Sequence, residues 1–542
     1  MLKTRYIFVT GGVCSGLGKG IASASIGAIL KACGYKVSTI KMDPYLNPDP
    51  GTMSPFQHGE VFVTDDGYEA DLDLGHYERF IDVPLSSHSN LTSGQIYQEI
   101  LEKERKGEYL GKTVQVVPHI TNKIKDFIKT AAERSRADFL MVEIGGTVGD
   151  IEGEPYLEAA RQFHHEMGDE RVMFVHLTLL PFLATSKELK TKPTQMSVKE
   201  LERRGIHPDM ILARSDYDIP RELLDKIAMF CDIEEGAVVP APTIASIYEC
   251  PLNFAKAKVS EIIFKKFNLT NKKPNLQQWQ NLVKKIKSAN DKQITIAKVG
   301  KYTAHGDAYI SVDEALKAAG FANNVSIKII AVDSEKLENK DKKEWNLLKK
   351  ADGIVVPGGF GKRGVEGKIA AAKYARENKV PYFGLCLGMQ IMTIEFARQI
   401  LKTDDANSEE FAPNSKNPVI HIMDEQKEKM KNNDYGATMR LGAYPCRLKP
   451  GSLAECAYEE KLVSERHRHR YEFNNNYRTV LEDGGLVISG LSPDKKLVEI
   501  VEIKNHPWML GVQFHPEFKS RPLRPHPLFR EFVRAAVKRA KK

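Results

Sequence analysis

The chain has 542 residues and a mass of 60.9 kDa, enough for two to four domains that each bury a core. Hydrophobic residues make up 42% and charged residues 28%, as is usual in globular proteins. The net charge of +8 suits anionic small molecules, and solvated lysine-rich runs explain it better than nucleic-acid binding does. No apolar stretch approaches 18 residues, so the sequence predicts no membrane span.

The cysteine content points to a reducing compartment. Seven cysteines, an odd number without short regular spacing, do not predict a disulfide framework or a zinc site. The apolar run near the N-terminus ends at Gly11 and is too short for a signal sequence. We therefore expect a cytoplasmic protein.

Short apolar runs that end in glycine-rich or acidic turns recur along the chain, and helical patterns follow them. They lie at 5–12, 139–147, 173–180, 294–300, 353–359 and 380–386. Runs of this length, rich in Val and Ile, are typical of buried strands, and their alternation with helices indicates parallel sheets. The sequence thus predicts an α/β fold.

A polar, lysine-rich stretch separates two such regions. Residues 266–292 contain no strand-like run, so we interpret them as a linker that carries one helix. The predicted domains are then 1–265 and 293–542. In the second domain, Ser311 and Glu314 predict a capping box, and Gly320 stands where a helix end would need positive φ.

Cys386 has the surroundings of a nucleophile. It follows a strand-like run and precedes a helical pattern, with Gly384 and Gly388 on either side. A sharp strand-to-helix turn needs such small neighbours, and the helix N-terminus stabilises a thiolate. Upstream, the glycines of residues 357–361 suit an oxyanion hole built with the amide of Leu387.

His515 and Glu517 follow a strand-like run near the C-terminus, and they could deprotonate a thiol and orient the imidazole. Taken singly, a buried cysteine or a His-x-Glu pair is more often structural. Jointly, the GLCLG turn, the PGGFG loop and HPE resemble the class I glutamine amidotransferases over about 250 residues. The resemblance implies that Cys386 forms a glutamyl thioester, with His515 as base and Glu517 as its orienter. The glutamine pocket would be lined by Gly359, Leu387, Gly388, Met389 and Gln390.

The N-terminal region has a glycine-rich loop, residues 11–20, between a strand-like run and a helical pattern. Its small residues let backbone amides cradle phosphates, and Lys19 would neutralise them. The loop departs from the usual P-loop, because Val13 replaces the first glycine and Gly20 replaces the hydroxyl residue that binds Mg²⁺. A structural glycine turn therefore stays open as an alternative.

Carboxylates provide candidate metal ligands in the same region. Asp71 and Asp73 lie in EADLDLGHYERF, and Glu143 closes a strand-like run. Ligands of α/β proteins bind at the carboxyl ends of parallel strands, and Mg²⁺ takes one or two carboxylates plus phosphates. Acidic residues at strand ends are otherwise mostly solvated or capping.

Longer segments carry a second resemblance. The segments are GGVCSGLGKG, KMDPYLNPDPGTMSPFQHGEVFVTDDG, DLDLGHYERF, GKTVQVVPHIT, VEIGGTVGDIE, LKTKPTQ and RHRHRYE. Together with the C-terminal triad, they resemble the CTP synthases over essentially the whole chain. The implied fold is a Rossmann-like P-loop synthetase domain with a parallel sheet, followed by an α/β class I glutamine amidotransferase domain. The implied reaction aminates UTP at C4, using ATP and ammonia released from glutamine.

The same resemblance implies roles for individual residues. ATP would be contacted by Gly16, Leu17, Gly18, Lys19, Gly20, Ile21, Lys41 and Asp73, and Mg²⁺ would be held by Asp73 and Glu143. UTP or CTP would be held by Ser15, Asp150, Ile151, Glu152, Lys190, Thr191, Lys192, Pro193, Thr194, Gln195 and Lys226. Glu410 and Arg470 match residues that hold the amino acid group of glutamine.

The resemblance further implies activation by GTP, inhibition by CTP, an internal passage for ammonia and a homotetramer, with neither nucleic acid nor membrane as a partner. The rival interpretation among enzymes is another amidoligase with a glutaminase partner. A rival from another class is a nucleotide-switched binding or partition ATPase that carries a degenerate glutaminase. A filament-forming structural role is a third. Cys14, beside the phosphate loop, is either a small apolar residue or a modifiable site.

Overall fold

The computed structural model of the protein describes residues 4–289, 292–301, 306–423, 426 and 438–541. Internal contacts divide the chain into two compact units. The N-terminal unit comprises Met1–Pro50 and Asp73–Val283, and the C-terminal unit comprises Gly51–Leu72 and Lys284–Lys542. This division differs from the predicted domains at residues 51–72, which group with the C-terminal unit, and it falls within the helix of the predicted linker.

Strands are distributed along the whole chain. The strands before residue 290 are β1 (Arg5–Gly11), β2 (Val37–Asp43), β3 (Phe62–Val63), β4 (Glu69–Ala70), β5 (Asn90–Thr92), β6 (Phe139–Ile144), β7 (Val172–Leu179), β8 (Phe182–Leu183), β9 (Glu188–Leu189), β10 (Met210–Ser215) and β11 (Val238–Pro242). The later strands are β12 (Gln293–Gly300), β13 (Ser326–Asp333), β14 (Gly353–Val356), β15 (Tyr382–Leu385), β16 (Ala406–Ser408), β17 (Asn417–Ile422), β18 (Arg440–Leu448), β19 (Leu462–His469), β20 (Tyr471–Phe473), β21 (Leu486–Leu491), β22 (Val498–Ile503) and β23 (Met509–Val512). Each of the strand-like runs found in the sequence overlaps one of these strands.

Helices alternate with the strands. The helices before residue 290 are α1 (Lys19–Ala32), α2 (Pro55–His58), α3 (Asp73–Ile81), α4 (Ser93–Arg105), α5 (Thr121–Ser135), α6 (Glu154–Met167), α7 (Lys192–Arg203), α8 (Arg221–Phe230), α9 (Cys250–Lys256), α10 (Val259–Lys266) and α11 (Gln277–Ala289). The later helices are α12 (Ile310–Ala322), α13 (Ser334–Glu338), α14 (Lys342–Lys349), α15 (Val365–Glu377), α16 (Leu387–Leu401), α17 (Leu453–Tyr458), α18 (Arg478–Asp483) and α19 (Pro527–Ala540). Among the described residues, none of the helices has the length and apolar character needed to cross a membrane.

The N-terminal unit is built on a parallel sheet with the strand order β11-β10-β7-β1-β6-β2-β5. Its strands are almost wholly buried, and apolar side chains of β1, β2 and β6 pack with helices α5 and α6 in one core. Burial on both faces explains why these strands are continuous apolar runs rather than alternating ones. The predicted parallel sheet is confirmed.

The C-terminal unit has a mixed sheet with the order β13-β12-β14-β15-β23-β22-β21-β18-β19. The strands from β13 to β23 pair in parallel, as predicted, whereas β23 to β19 pair antiparallel. Apolar residues of β12, β14 and β15 pack with helices on both faces. The antiparallel half was not predicted.

The predicted caps of α12 are wrong. The helix begins at Ile310, so Ser311 lies inside it, and its hydroxyl and amide donate hydrogen bonds to the Glu60 carboxylate. Gly320 also lies within the helix, where a Cβ would approach Ile327 Cγ1 to 2.7 Å. Both residues are therefore explained by tertiary packing rather than by helix ends.

Residues 51–72 are held in the C-terminal unit by buried ion pairs. Arg466 Nε lies 2.6 Å from Asp65 Oδ1, and Arg468 Nε lies 2.7 Å from Glu69 Oε1. The two arginine side chains are only 1% and 13% exposed. The basic run RHRHRYE thus uses these arginines inside the unit rather than on its surface.

Candidate active sites

Cys386 occupies a strained turn between β15 and α16. Its backbone has φ 51° and ψ −102°, an unfavourable combination for a residue with a side chain. A Cβ on Gly384 would lie 2.5 Å from Gly388, and one on Gly388 would lie 2.1 Å from Val356 O. The prediction that this turn requires small neighbours is confirmed, and it places the thiol at the start of a fifteen-residue helix.

The imidazole of His515 is oriented by Glu517, with 2.7 Å between Nδ1 and Oε1. Its Nε2 is buried and has no hydrogen-bond partner among the described residues. Burial alone would lower the pKa of His515, but Glu517 and the sulfur of Cys386 outweigh burial and raise the pKa to about 10. Glu517 and the Cys386 sulfur therefore favour the imidazolium form of His515.

The PGGFG loop lies against these residues. A Cβ on Gly358 would come within 2.7 Å of His515 Cε1 and 3.6 Å of Cys386 Cβ, so only glycine permits this approach. Among the described residues, the amides of Gly359 and Leu387 have no hydrogen-bond acceptor. Free amides beside the nucleophile are the donors that an oxyanion hole requires. A cavity of about 250 Å³ in the C-terminal unit is lined by this loop and the three candidate catalytic residues.

Gln390 and Gln513 lie near the thiol. Gln390 Nε2 donates hydrogen bonds to Tyr471 O at 3.0 Å and to Gln513 Oε1 at 3.2 Å. Gln513 Nε2 in turn lies 3.7 Å from Cys386 Sγ. The sequence analysis missed Gln513, although its place two residues before His515 was a usable signal. Met389, by contrast, lies wholly within the apolar core.

The two residues predicted to hold the amino acid group of glutamine differ in their surroundings. Glu410 accepts a hydrogen bond of 2.6 Å from the amide of Gly361, and burial raises the pKa of this carboxyl. Arg470 donates to Gln426 Oε1 at 2.9 Å and to Thr438 Oγ1 at 2.8 Å. Glu410 thus lies directly on the PGGFG loop.

The glycine-rich loop of the N-terminal unit links β1 to α1. Val13, Gly16 and Gly18 adopt φ values of 78°, 73° and 91°, so a β-branched residue takes a left-handed conformation that favours glycine. Such a loop directs successive amides toward a bound anion. A Cβ on Gly20 would lie 2.2 Å from Asp73 Oδ1. The hydroxyl residue usual at this point of a P-loop is excluded here because the Asp73 carboxylate takes its space.

Lys41 lies among several carboxylates at the carboxyl edge of the parallel sheet. Its Nζ forms an ion pair with Asp73 and lies 2.8 Å from Glu143 Oε1 and 4.0 Å from Asp43 Oδ1. Burial opposes charge on every member. The ammonium nevertheless lowers the pKa of Asp73 to about 2, whereas burial raises the pKa of Asp43 to about 6. Asp43 was missed, although it ends β2 just as Glu143 closes a neighbouring strand-like run.

The predicted metal ligands fit Mg²⁺. Asp73 and Glu143 both contact the same lysine nitrogen, so their oxygens converge on one small region. Two carboxylates complemented by phosphate oxygens and water are a usual Mg²⁺ environment. Within the described part of the chain, no group of three or more acidic, histidine or cysteine side chains has metal-binding geometry.

Lys19 is placed at the start of α1, and its Nζ donates a hydrogen bond of 2.7 Å to Gly146 O. Burial lowers the pKa of this lysine, and Lys41 acts in the same direction, while Glu143 and Asp73 oppose both. Lys19 is thus hydrogen-bonded to the turn that follows β6. Leu17 and Ile21, predicted near ATP, line a cavity of about 220 Å³ that Gly16 and Gly18 of the glycine-rich loop also line.

The residues predicted to hold UTP lie mainly at the start of α7. Lys192 Nζ donates to Gln195 Oε1 at 3.3 Å, and Gln195 Nε2 donates to Thr191 Oγ1 at 3.2 Å. Lys190 pairs with Glu188, and Pro193 occupies the first turn of the helix. Lys226, on α8, is exposed. Asp150 accepts a hydrogen bond from the Thr147 amide, and the neighbouring Ile151 is 84% exposed.

Two family models match the chain. Residues 5–269 match the CTP synthase N-terminus, and residues 304–535 match class I glutamine amidotransferases. A CTP synthase from Carboxydothermus hydrogenoformans is 56% identical over 535 residues, which cover 99% of each chain. Another, from Caldanaerobacter subterraneus subsp. tengcongensis, is 57% identical over 533 residues and 98% of each chain.

The chain belongs to the CTP synthase family.

As a CTP synthase, the protein is a glutamine-dependent ligase with glutaminase activity. Among solved structures, the glutaminase domain of Trypanosoma brucei CTPS with bound acivicin is 44% identical, covers 45% of this chain and 94% of that one, and has a TM-score of 0.42. The predicted family and fold class are confirmed, and CTP synthases use ATP, UTP and glutamine as substrates.

Proposed function

We propose that the enzyme phosphorylates O4 of UTP with ATP and then replaces the phosphate at C4 with ammonia released from glutamine. CTP, ADP and phosphate are the products. The observation that carries the proposal is the geometry of the C-terminal unit, where Glu517 orients the His515 imidazole near the strained Cys386 turn. That UTP is the acceptor nucleotide is inferred from membership of the family.

In the glutaminase half-reaction, Cys386 attacks the side-chain amide of glutamine and His515 receives the thiol proton. The free amides of Gly359 and Leu387 stabilise the oxyanion. His515 then gives its proton to the departing ammonia, and water hydrolyses the thioester. Glu410 suits the α-amino group of glutamine, because its carboxylate is fixed on the PGGFG loop.

In the synthetase half-reaction, the glycine-rich loop and Lys19 bind the ATP phosphates, joined by Lys41. The contacts are proposed for Gly16, Leu17, Gly18, Lys19, Gly20, Ile21, Lys41 and Asp73. Mg²⁺, held by Asp73 and Glu143, supplies positive charge to the transferring phosphate when bound. The triphosphate of UTP is held by Lys190–Gln195 and Lys226, whose lysines match a polyanion. Ser15 and Asp150 to Glu152 contact the pyrimidine nucleotide.

Ammonia must reach the N-terminal unit without being protonated in water. Residues 51–72 support a protected route, because Gly51, Met53 and Val61 line the cavity that contains Cys386. The segment is also continuous in sequence with Pro50 and Asp73 of the N-terminal unit. We propose that this segment forms the start of the ammonia passage.

Regulation and assembly are proposed from the family. GTP activates the glutamine-dependent reaction, CTP inhibits, and the active enzyme is a homotetramer. A cytoplasmic location is favoured by the seven cysteines, all of which are free thiols.

Oxygen transfer tests the phosphorylated intermediate. With UTP labelled by ¹⁸O at O4, ATP and ammonium, the proposed mechanism transfers the label to inorganic phosphate in a one-to-one ratio with CTP. Unlabelled phosphate formed together with CTP would contradict phosphorylation at O4. ATP hydrolysis without UTP-dependent CTP would instead favour the nucleotide-switched ATPase.

A further inference from the structure

Lys368 is a buried cation that the proposed mechanism does not use. It lies on the first turn of α15, just after the PGGFG loop, and is only 1% exposed. Its Nζ reaches back to the loop and would lie 3.7 Å from a Cβ on Gly359. Within the described ranges, Nζ forms neither a hydrogen bond nor an ion pair. Burying a charged amine costs free energy, so the position of Lys368 requires an explanation.

The ionisable groups that shift the pKa of Lys368 lie around the PGGFG loop. They are Lys301, which follows β12 and donates a hydrogen bond to Phe360 O of that loop, Glu410 after β16, and Cys386 at the start of α16. Burial lowers the pKa of Lys368 to about 7, and Lys301 acts in the same direction, whereas Glu410 and Cys386 favour the ammonium. Because electrostatic interactions are mutual, the ammonium also favours negative charge at Cys386.

The loop lies between the lysine and the reacting groups. Gly358 faces His515 and Cys386, whereas the next residue, Gly359, faces Lys368 and Leu387. The ammonium of Lys368, which is shielded from water, therefore lies beside Gly359, whose amide is a proposed oxyanion donor. In such a site a fixed charge acts more strongly than it would in solvent.

We propose that Lys368 is a positioning residue of the glutaminase site, whose ammonium stabilises the negative charge that forms on Cys386 and on the amide oxygen of glutamine. The inference rests on the proposed glutaminase chemistry. In that step the sulfur forms a bond to the amide carbon, and the carbonyl electron pair moves to oxygen. The oxyanion then re-forms the carbonyl as the carbon–nitrogen bond breaks, and ammonia leaves with the proton from His515. Lys368 exchanges no atom and contributes only charge.

A purely structural role does not explain the lysine. Methionine has a similar length and would fill the same space without the cost of burying an amine. The lysine therefore lowers stability at neutral pH, and such a cost is common where function requires it.

The test compares Lys368→Met with Lys373→Met in the full-length enzyme. Lys373 lies on the same helix, but its side chain is 61% exposed. We expect Lys368→Met to lower kcat for glutamate release about 10-fold, with KM within about twofold, because the charge acts in the transition state. Lys373→Met and ammonium-driven CTP formation should remain unchanged.

Thiol reactivity gives a readout that a packing defect would not produce. The rate of Cys386 alkylation by iodoacetamide, followed by mass spectrometry of its peptide, should reach half its maximum about one pH unit higher in Lys368→Met. Lys368→Gln, which also lacks the charge, should show the same shift in the alkylation profile. It replaces Lys368→Met in this test if the methionine variant does not fold.

The pH dependence of stability provides a further test. The folded-state pKa of about 7 lies below the ordinary value of 10.5, so the unfolded chain binds the proton more readily between these values. Lys368→Met should therefore raise the thermal midpoint most below about pH 7, and this gain should disappear above about pH 10.5.

Two results would overturn the inference. One is an unchanged kcat together with an unchanged alkylation profile. The other is a rise in KM alone, which would make Lys368 a binding group for glutamine. If the parent enzyme itself releases no glutamate from glutamine, the proposed function fails instead, so the two failures are distinguishable.

Discussion

The glutaminase site and the nucleotide site differ in how complete they are without ligands. In the C-terminal unit, Cys386 is held in a strained turn and Glu517 already orients His515. In the N-terminal unit, the carboxylates Asp73 and Glu143 instead both form ion pairs with Lys41. In the glutaminase site the reactive groups are already in position, whereas in the nucleotide site the carboxylates are paired with a lysine.

The difference follows from the chemistry that each site performs. A thiol nucleophile needs only protein groups, so the chain can fix all of them by packing. A phosphoryl-transfer site must accept a polyanion and a divalent cation, whose charges would dominate the site. The Lys41 ammonium offsets part of the cost of burying the Asp73 and Glu143 carboxylates.

The largest predicted effect is that of a substitution in the nucleotide site, which should lower CTP formation whichever nitrogen source is used. Lys19→Ala should reduce CTP formation by about 10³-fold with either glutamine or ammonium, since phosphorylation of UTP precedes both. Initial rates with saturating ATP measure this effect, and the exposed Lys36→Ala is the matched control. Retention of the ammonium-driven rate in the Lys19 variant would contradict the phosphate role of Lys19.

A smaller effect tests why the phosphate loop departs from the usual P-loop. Gly20→Ser would restore the missing hydroxyl, but its Cβ would lie 2.2 Å from Asp73 Oδ1. We expect the KM for ATP to rise about 10-fold, because the Asp73 carboxylate must move away from Lys41. Gly153→Ala, where no atom lies within 4 Å of the added Cβ, should leave this constant unchanged. A gain in ATP affinity for Gly20→Ser would show that Asp73 does not replace the hydroxyl.

Sequence patterns predicted the parts of the molecule that depend on local order. The apolar runs identified the parallel strands, and the turn around Cys386 was recognisable because its glycines flank it directly. Asp43 and Gln513 were missed despite their local signals at a strand end and beside His515, because the contacts that bring them to the sites involve residues distant in sequence. The antiparallel half of the C-terminal sheet was missed for the same reason.

Two lysines of α15 show this limit most clearly. Lys368 and Lys373 are both typical of a solvated helix face, and local sequence does not distinguish them. Packing buries the first and leaves the second 61% exposed. Likewise, nothing local to residues 51–72 indicates that their acidic side chains pair with Arg466 and Arg468 almost 400 residues later.

In the proposed reaction, ammonia is made at one site and used at the other. Cys386→Ala tests this most directly, by comparing CTP formation from UTP and ATP with glutamine and with ammonium. We predict that the glutamine-driven rate is abolished, whereas the ammonium-driven rate stays within about twofold of the parent enzyme, since only the former needs the thiol. Loss of both rates in a folded protein, or retention of the glutamine-driven rate, would contradict the two-site account.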